Sequence, residues 1–332
     1  SAGLCPTYPT IPHMGDSLRR HGPPSGHPPR VPPPHPTGSD TVDHVPKTQK
    51  LVTDLAKTGP HRVVRGDLAL AGLPGVIYAP KEGTSLPAVA FAHGWMSSSK
   101  NYESTLKHLA SWGFVVAAPN TQRGPVPSHA ALAHDLSVAL DICTGIRLGT
   151  GDISVHPDKL AVVGHAMGAG AAVLAASQRS DIRAVGALYP APTSPRALTD
   201  GIADAVTAPA LVVGAPTELN SLTAEPVALA GALGGPTVLR VIDKSVGDGI
   251  VESRKLLSFF GVGNAQPKTR KAVRALLTGF LLHRLARHDD YEAFSDPEVE
   301  FKGTRVLDPN EPTADVPSKG GALRQLSHLA GR

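Results

Sequence analysis

The stretch Lys159–Ala176, KLAVVGHAMGAGAAVLAA, decides how this chain is read. Leu160 to Val163 form an apolar run, Gly164-His165-Ala166-Met167-Gly168 a tight turn, and the small residues beyond suit a helix. A strand entering a helix through a G-x-S-x-G turn lifts a serine hydroxyl onto a sharp, exposed corner. Here the corner residue is Ala166. A methyl group cannot attack a carbonyl, so the turn has the shape of a reactive site without its nucleophile.

Working outward, short β-rich runs alternate with helical stretches. His61–Leu70 and Gly75–Pro80 read as two opening strands, and Leu86–Gly94 as a buried third. A helix over Asn101–Gly113, a strand over Phe114–Asn120 and a long helix over Ser128–Gly149 lead into the central strand and turn. Strands at Ala184–Pro190, Pro209–Ala215 and Thr237–Ile242 follow, with a helix at Leu222–Gly234 before the last of them. A loop from Asp243 to Lys268 then precedes a final helix over Thr269–Arg287. Single helices between strands imply right-handed crossovers and a largely parallel sheet covered on both faces. The pattern predicts an α/β protein with eight strands and Ala166 near the centre of the sheet.

The flanks differ. Residues 1–45 are rich in Pro, Gly and His, as in HGPPSGHPPRVPPPHP, a composition that builds no core and favours extended chain. The first region is therefore expected to be an extended arm that lies along another surface. Its histidines, His13, His21, His27 and His35, read as solvated side chains. Residues 46–297 form the expected domain, and 298–332 a polar, peripheral tail.

Bulk properties exclude several classes. With 332 residues and a net charge of +4, the chain can bury a large core and carries no basic run of the kind that marks a nucleic-acid footprint. No apolar run approaches the roughly 18 residues of a membrane span. No metal-ligand spacing is present, and neither a metal nor a cofactor is expected. The compartment stays open: the chain begins at Ser1, so secretion after removal of a leader and a cytoplasmic location are both compatible. Of the two cysteines, Cys5 and Cys143, the second lies in the apolar helical pattern LSVALDICTGI, where a buried thiol is the simpler reading than a disulfide.

Four segments together, FAHGWMSSSKNY, LASWGFVVAAPNTQRG, DKLAVVGHAMGAGAA and LLHRLARHDDYEAFSDPE, resemble the α/β-hydrolase fold. Within it the likeness is to the secreted polyester hydrolases, cutinase-like and PET-hydrolase enzymes, which are related to dienelactone hydrolases. The resemblance implies a serine, then an acid, then a histidine in chain order, the histidine taking the serine proton and the acid orienting the histidine. The serine position is Ala166. The acid position falls on Leu219, with Glu218 beside it as a substitute one residue away, and the histidine position falls near Gly247, in a loop without any histidine. His283 and His288 come too late to serve.

Loss of nucleophile and base together speaks for a natural non-catalytic homologue rather than a Ser→Ala trap, which would leave its acid and base in place. The binding half of the site remains. By resemblance, the N–H groups of Trp95 and Met167 form an oxyanion hole, able to hold a carbonyl, a carboxylate or water. Close strand–helix packing around Gly164, Gly168 and Gly170 is the alternative reason for the turn to persist. His93 and His165 flank the site as candidate ligand contacts. Ser97, Ser98 and Ser99 are the nearest hydroxyls but have no partnered base. Trp95 and Tyr189 are candidate cleft aromatics, whereas Trp112 reads as core. The expected function is that of a binding or scaffold protein with a lipid or ester ligand, or with a protein partner held by the arm. The alternative is a polyester-hydrolase-type serine esterase silenced at residue 166.

Overall fold

The computed structural model describes residues 44–195, 201–219, 221, 223–252 and 266–311. Among them, nine strands form one sheet in the order β1-β2-β4-β3-β5-β6-β7-β8-β9. The strands are β1 (Val63–Asp67), β2 (Gly75–Pro80), β3 (Gly83–Ala92), β4 (Val115–Pro119), β5 (Ile153–His165), β6 (Ile182–Leu188), β7 (Ala210–Gly214), β8 (Thr237–Ile242) and β9 (Thr304–Leu307). The inner pairs β3–β4, β3–β5, β5–β6, β6–β7 and β7–β8 are parallel. Antiparallel pairs close both edges, with β1 on β2, β2 on β4, and β9 on β8.

The ninth strand corrects the count of eight. Thr304–Leu307 lies in the segment read as a peripheral tail, and four residues give too short an alternation to stand out beside Pro and Gly. Its pairing with Leu239–Ile242 supplies the edge that the sequence pattern hides.

Six helices flank the sheet among the described residues: α1 (His44–Leu55), α2 (Glu103–Ser111), α3 (His129–Gly145), α4 (Met167–Ser177), α5 (Pro226–Ala232) and α6 (Pro267–Arg284). Side chains alternate across a strand, and β5 shows the consequence. Leu160 and Val162 join a core with Leu132 and Leu136 of α3, Val173 of α4 and Leu229 of α5. Ala161 and Val163 face the opposite core with Leu55 of α1, Leu106 of α2 and Leu277 of α6. Being buried on both faces makes the central strands continuous apolar runs.

Several boundaries move for local reasons. The α1 helix was not foreseen, and its start, His44 and Val45, falls inside the stretch read as arm; residues 1–43 lie outside the described residues. Pro226 opens α5 at its first turn, where proline's missing N–H costs nothing, so the helix starts four residues later than expected. Helix α3 stops at Gly145 because Ile146 turns extended. Cys143 is buried on α3 as a free thiol, and burial pushes its pKa up to about 12.

Candidate active site

The turn between β5 and α4 is set by two close approaches. A Cβ on Gly164 would lie 1.9 Å from the Gly168 carbonyl oxygen, and one on Gly168 would lie 2.5 Å from the Ala92 oxygen. Only glycine lets the strand end, the helix start and the end of β3 meet this closely. Between them Ala166 adopts φ 52° and ψ −118°, a conformation disfavoured for any residue with a Cβ. Its N–H donates to Leu188 O at 3.0 Å, and its carbonyl accepts from Ala169 and Ala191. The corner is thus held on three sides.

The turn after β3 packs against this corner. A Cβ on Gly94 would stand 3.5 Å from Ala166 Cβ and 3.0 Å from His165 Nδ1. That contact brings the backbone of Trp95 beside the elbow, while Met167 opens α4. As the first residue of a helix, Met167 has no acceptor for its N–H within that helix. The Trp95 side chain is half exposed and donates from Nε1 to Pro125 O at 3.0 Å.

His165 is fully buried and hydrogen-bonded from both ring nitrogens. Nδ1 lies 2.7 Å from Tyr102 Oη, and Nε2 lies 3.1 Å from the Gly247 carbonyl oxygen. The Gly94 N–H donates to the same Tyr102 oxygen at 3.0 Å. A carbonyl only accepts, so the set closes with the proton of His165 on Nε2 and the Tyr102 hydroxyl donating to Nδ1. The ring therefore ties three loops together. His93 is also buried, with Nε2 at 2.7 Å from Thr121 O and Nδ1 at 2.9 Å from Gly94 O. Burial holds its pKa below the usual histidine value, offset in part by those two carbonyls.

Beyond the end of β7 the two residues weighed for the acid position point different ways. Leu219 turns into the apolar interior, whereas Glu218 turns towards Gly247. The Gly247 N–H donates to Glu218 Oε1 at 3.0 Å, and a Cβ on Gly247 would come within 2.7 Å of Oε2. Gly247 itself begins a short 3-10 turn, Gly247–Ile250, just after β8. Glu218, Gly247, Ala166, His165 and Tyr189 share the wall of a cavity of about 360 Å³, completed by Ala191, Thr223, Ala224, Val246 and Asp248.

Other candidates are placed elsewhere. His283 on α6 bonds Ser295 Oγ through Nδ1 at 2.8 Å and does not line the cavity. Ser97 Oγ donates to Trp95 O, and Ser98 Oγ to Asn101. Trp112 is half buried and anchors the segment after α1 by donating from Nε1 to Lys57 O. Among the described residues no cluster of three His, Cys, Asp or Glu side chains is arranged to hold a metal ion, and no helix is long and apolar enough to cross a membrane. Tyr102 is the contributor that sequence reasoning missed. It lies 63 positions from His165, and no local pattern links the two.

A sheet with a parallel centre and a strained strand–turn–helix corner on a middle strand, facing an acidic residue beyond β7 and a turn beyond β8, defines an α/β-hydrolase. More narrowly, the chain belongs to the PET hydrolase-like family, whose profile matches residues 40–226. Relatives include Cutinase est1 of Thermobifida alba, 30% identical over 164 residues that cover 48% of this chain and 53% of that protein. A cutinase of Thermobifida fusca (strain YX) is 31% identical over 141 residues, 42% of this chain and 44% of its own. Chlorophyllase type 0 of Chenopodium album is 30% identical over 139 residues, 37% and 38% of the two chains. The chain spans about half the length of these cutinases, and less of the chlorophyllase.

Proposed function

We propose that the chain is a non-catalytic member of its family, which binds a carbonyl-bearing ligand over Ala166 without cleaving it. The observation that carries this reading is the Glu218–Gly247–Ala166 geometry. Glu218, one residue from the expected acid position, has its carboxylate bound to the backbone of Gly247, near where the base would arise. The base position is a glycine, and the nucleophile position a methyl. A serine-type hydrolase needs all three in relay. The N–H groups of Trp95 and Met167 then hold a carbonyl oxygen with no attack to follow.

The test compares p-nitrophenyl butyrate turnover by the natural chain and by Ala166→Ser, with binding of a non-activated ester followed by isothermal titration. Binding without turnover in either protein is the expected result. Strong turnover by Ala166→Ser alone would favour a second reading, a cutinase-like ester hydrolase silenced at one residue. The names of its relatives and the retained carboxylate at Glu218 support that alternative.

A further inference from the structure

In an intact triad the imidazole stands between nucleophile and acid, so removing its side chain while keeping the acid leaves a hole with an acceptor in its wall. This chain has that arrangement. Glu218 commits Oε1 to the Gly247 N–H, and Oε2 lies 2.7 Å from where the first atom of a side chain on residue 247 would be. The cavity they share with Ala166 has about 360 Å³, within the ordinary size range of small-ligand sites. Among the described residues that line it there is no lysine or arginine. Tyr189, Ala191, Ala224 and Val246 give the hole apolar surface beside Thr223 and Asp248, against which a small ring can pack.

We propose that the cavity between Ala166 and Glu218 is a binding site for a small planar heteroaromatic ligand with a ring N–H, of the imidazole class, standing where the triad base would stand. This rests on the reading that the chain lacks its own base. The ring N–H donates to Glu218, a charge-assisted hydrogen bond stronger than a neutral one. The second ring nitrogen faces the Ala166 side of the cavity. With a serine at 166, that nitrogen would accept the hydroxyl proton as the serine oxygen bonds to the ester carbonyl carbon. The same proton would pass to the departing alkoxide as the acyl–oxygen bond breaks.

Imidazole itself is the probe. It is expected to bind the natural chain in isothermal titration with a one-to-one endpoint, and Glu218→Gln is expected to weaken binding at least tenfold while leaving the circular-dichroism spectrum unchanged. In Ala166→Ser, imidazole is expected to raise p-nitrophenyl butyrate turnover along a saturating curve whose midpoint matches the binding constant. Imidazole also cleaves such esters in free solution, so a strictly linear response equal to that of the natural chain would overturn the proposal, as would failure of the natural chain to bind imidazole. Turnover by Ala166→Ser without any imidazole would instead overturn the non-catalytic reading, separating the two failures.

Discussion

The Glu218 carboxylate accepts the Gly247 N–H at 3.0 Å, joining the turn after β7 to the turn after β8 where a triad would join acid to base. The pair suggests how catalysis could be built. Glu218 Oε2 is the free end of a flexible side chain, so it can move aside for a new side chain at residue 247 and then orient it. Ala166→Ser with Gly247→His is expected to exceed Ala166→Ser alone in p-nitrophenyl butyrate turnover by about 100-fold or more, the usual contribution of a positioned general base. Equal rates would show that Glu218 does not orient the introduced ring.

The backbone at Ala166 holds φ 52° with no hydroxyl to present. Strained corners of this kind cost about 1–3 kcal/mol for a residue with a Cβ, and glycine loses about 0.5–1 kcal/mol through added unfolded-state freedom. Ala166→Gly is therefore expected to stabilise the fold by about 1 kcal/mol in urea unfolding. A destabilised variant would mean that the methyl makes packing contacts worth more than the strain.

Glycine at the elbow is a packing requirement whatever the site does. Gly164→Ala would put a methyl 1.9 Å from the Gly168 oxygen, a backbone atom with nowhere to go, and is expected to cost about 3 kcal/mol or more. Gly66→Ala on edge strand β1, whose Cβ meets nothing closer than Ile77 Cβ at 3.8 Å, serves as control and is expected to change stability by under about 0.5 kcal/mol. Urea midpoints for the two variants make the comparison.

The parallel centre of the sheet was legible because strands buried on both faces leave unbroken apolar runs, as in Leu160–Val163 and Ala210–Val213. The elbow was legible because its glycines sit at fixed offsets. Which of Glu218 and Leu219 faces the site was not, since a loop has no period and a one-residue slip exchanges the interior for the cavity. The Tyr102–His165 bond and the β8–β9 pairing were hidden for a related reason. Both join segments distant in the chain, and neither leaves a local pattern.

Arg240 is a charged residue buried in the middle of β8, where an apolar side chain would be expected. Its guanidinium donates to the carbonyls of Val299, Ala293 and Asp296 at 2.7, 2.9 and 2.9 Å and lies over the Phe301 ring. These bonds fasten the segment after α6, which leads to β9, onto the sheet. Arg240→Met would leave three carbonyls to find other donors and is expected to destabilise by about 2–3 kcal/mol, the scale for leaving buried acceptors unpaired. Hydrogen exchange should report the loss first in residues 293–307. Uniform protection there would show that β9 holds without the clamp.

His108 on α2 is buried, and burial, with the Arg274 charge adding to it, lowers its pKa to about 4 against an ordinary 6.5; a hydrogen bond to the Leu55 backbone partly offsets this. A depressed histidine pKa means that between pH 6.5 and 4 the unfolded chain binds a proton that the folded chain does not. Stability from this residue is thus fully present above about pH 7, declines as the pH falls through 6.5, and levels off near 4. At about 1.4 kcal/mol per pH unit the loss from this one group approaches about 3 kcal/mol at most. Carboxylates titrate at the lower end of the same window, so the informative quantity is the difference between the natural chain and His108→Leu, which removes the titration and keeps the volume apolar. The urea midpoint of the variant is expected to exceed that of the natural chain by a margin that widens steadily from pH 6.5 to 4.5 and is constant above pH 7.5. Parallel curves across the whole range would show that His108 takes up its proton equally in both states, contrary to its burial against α1 and α6.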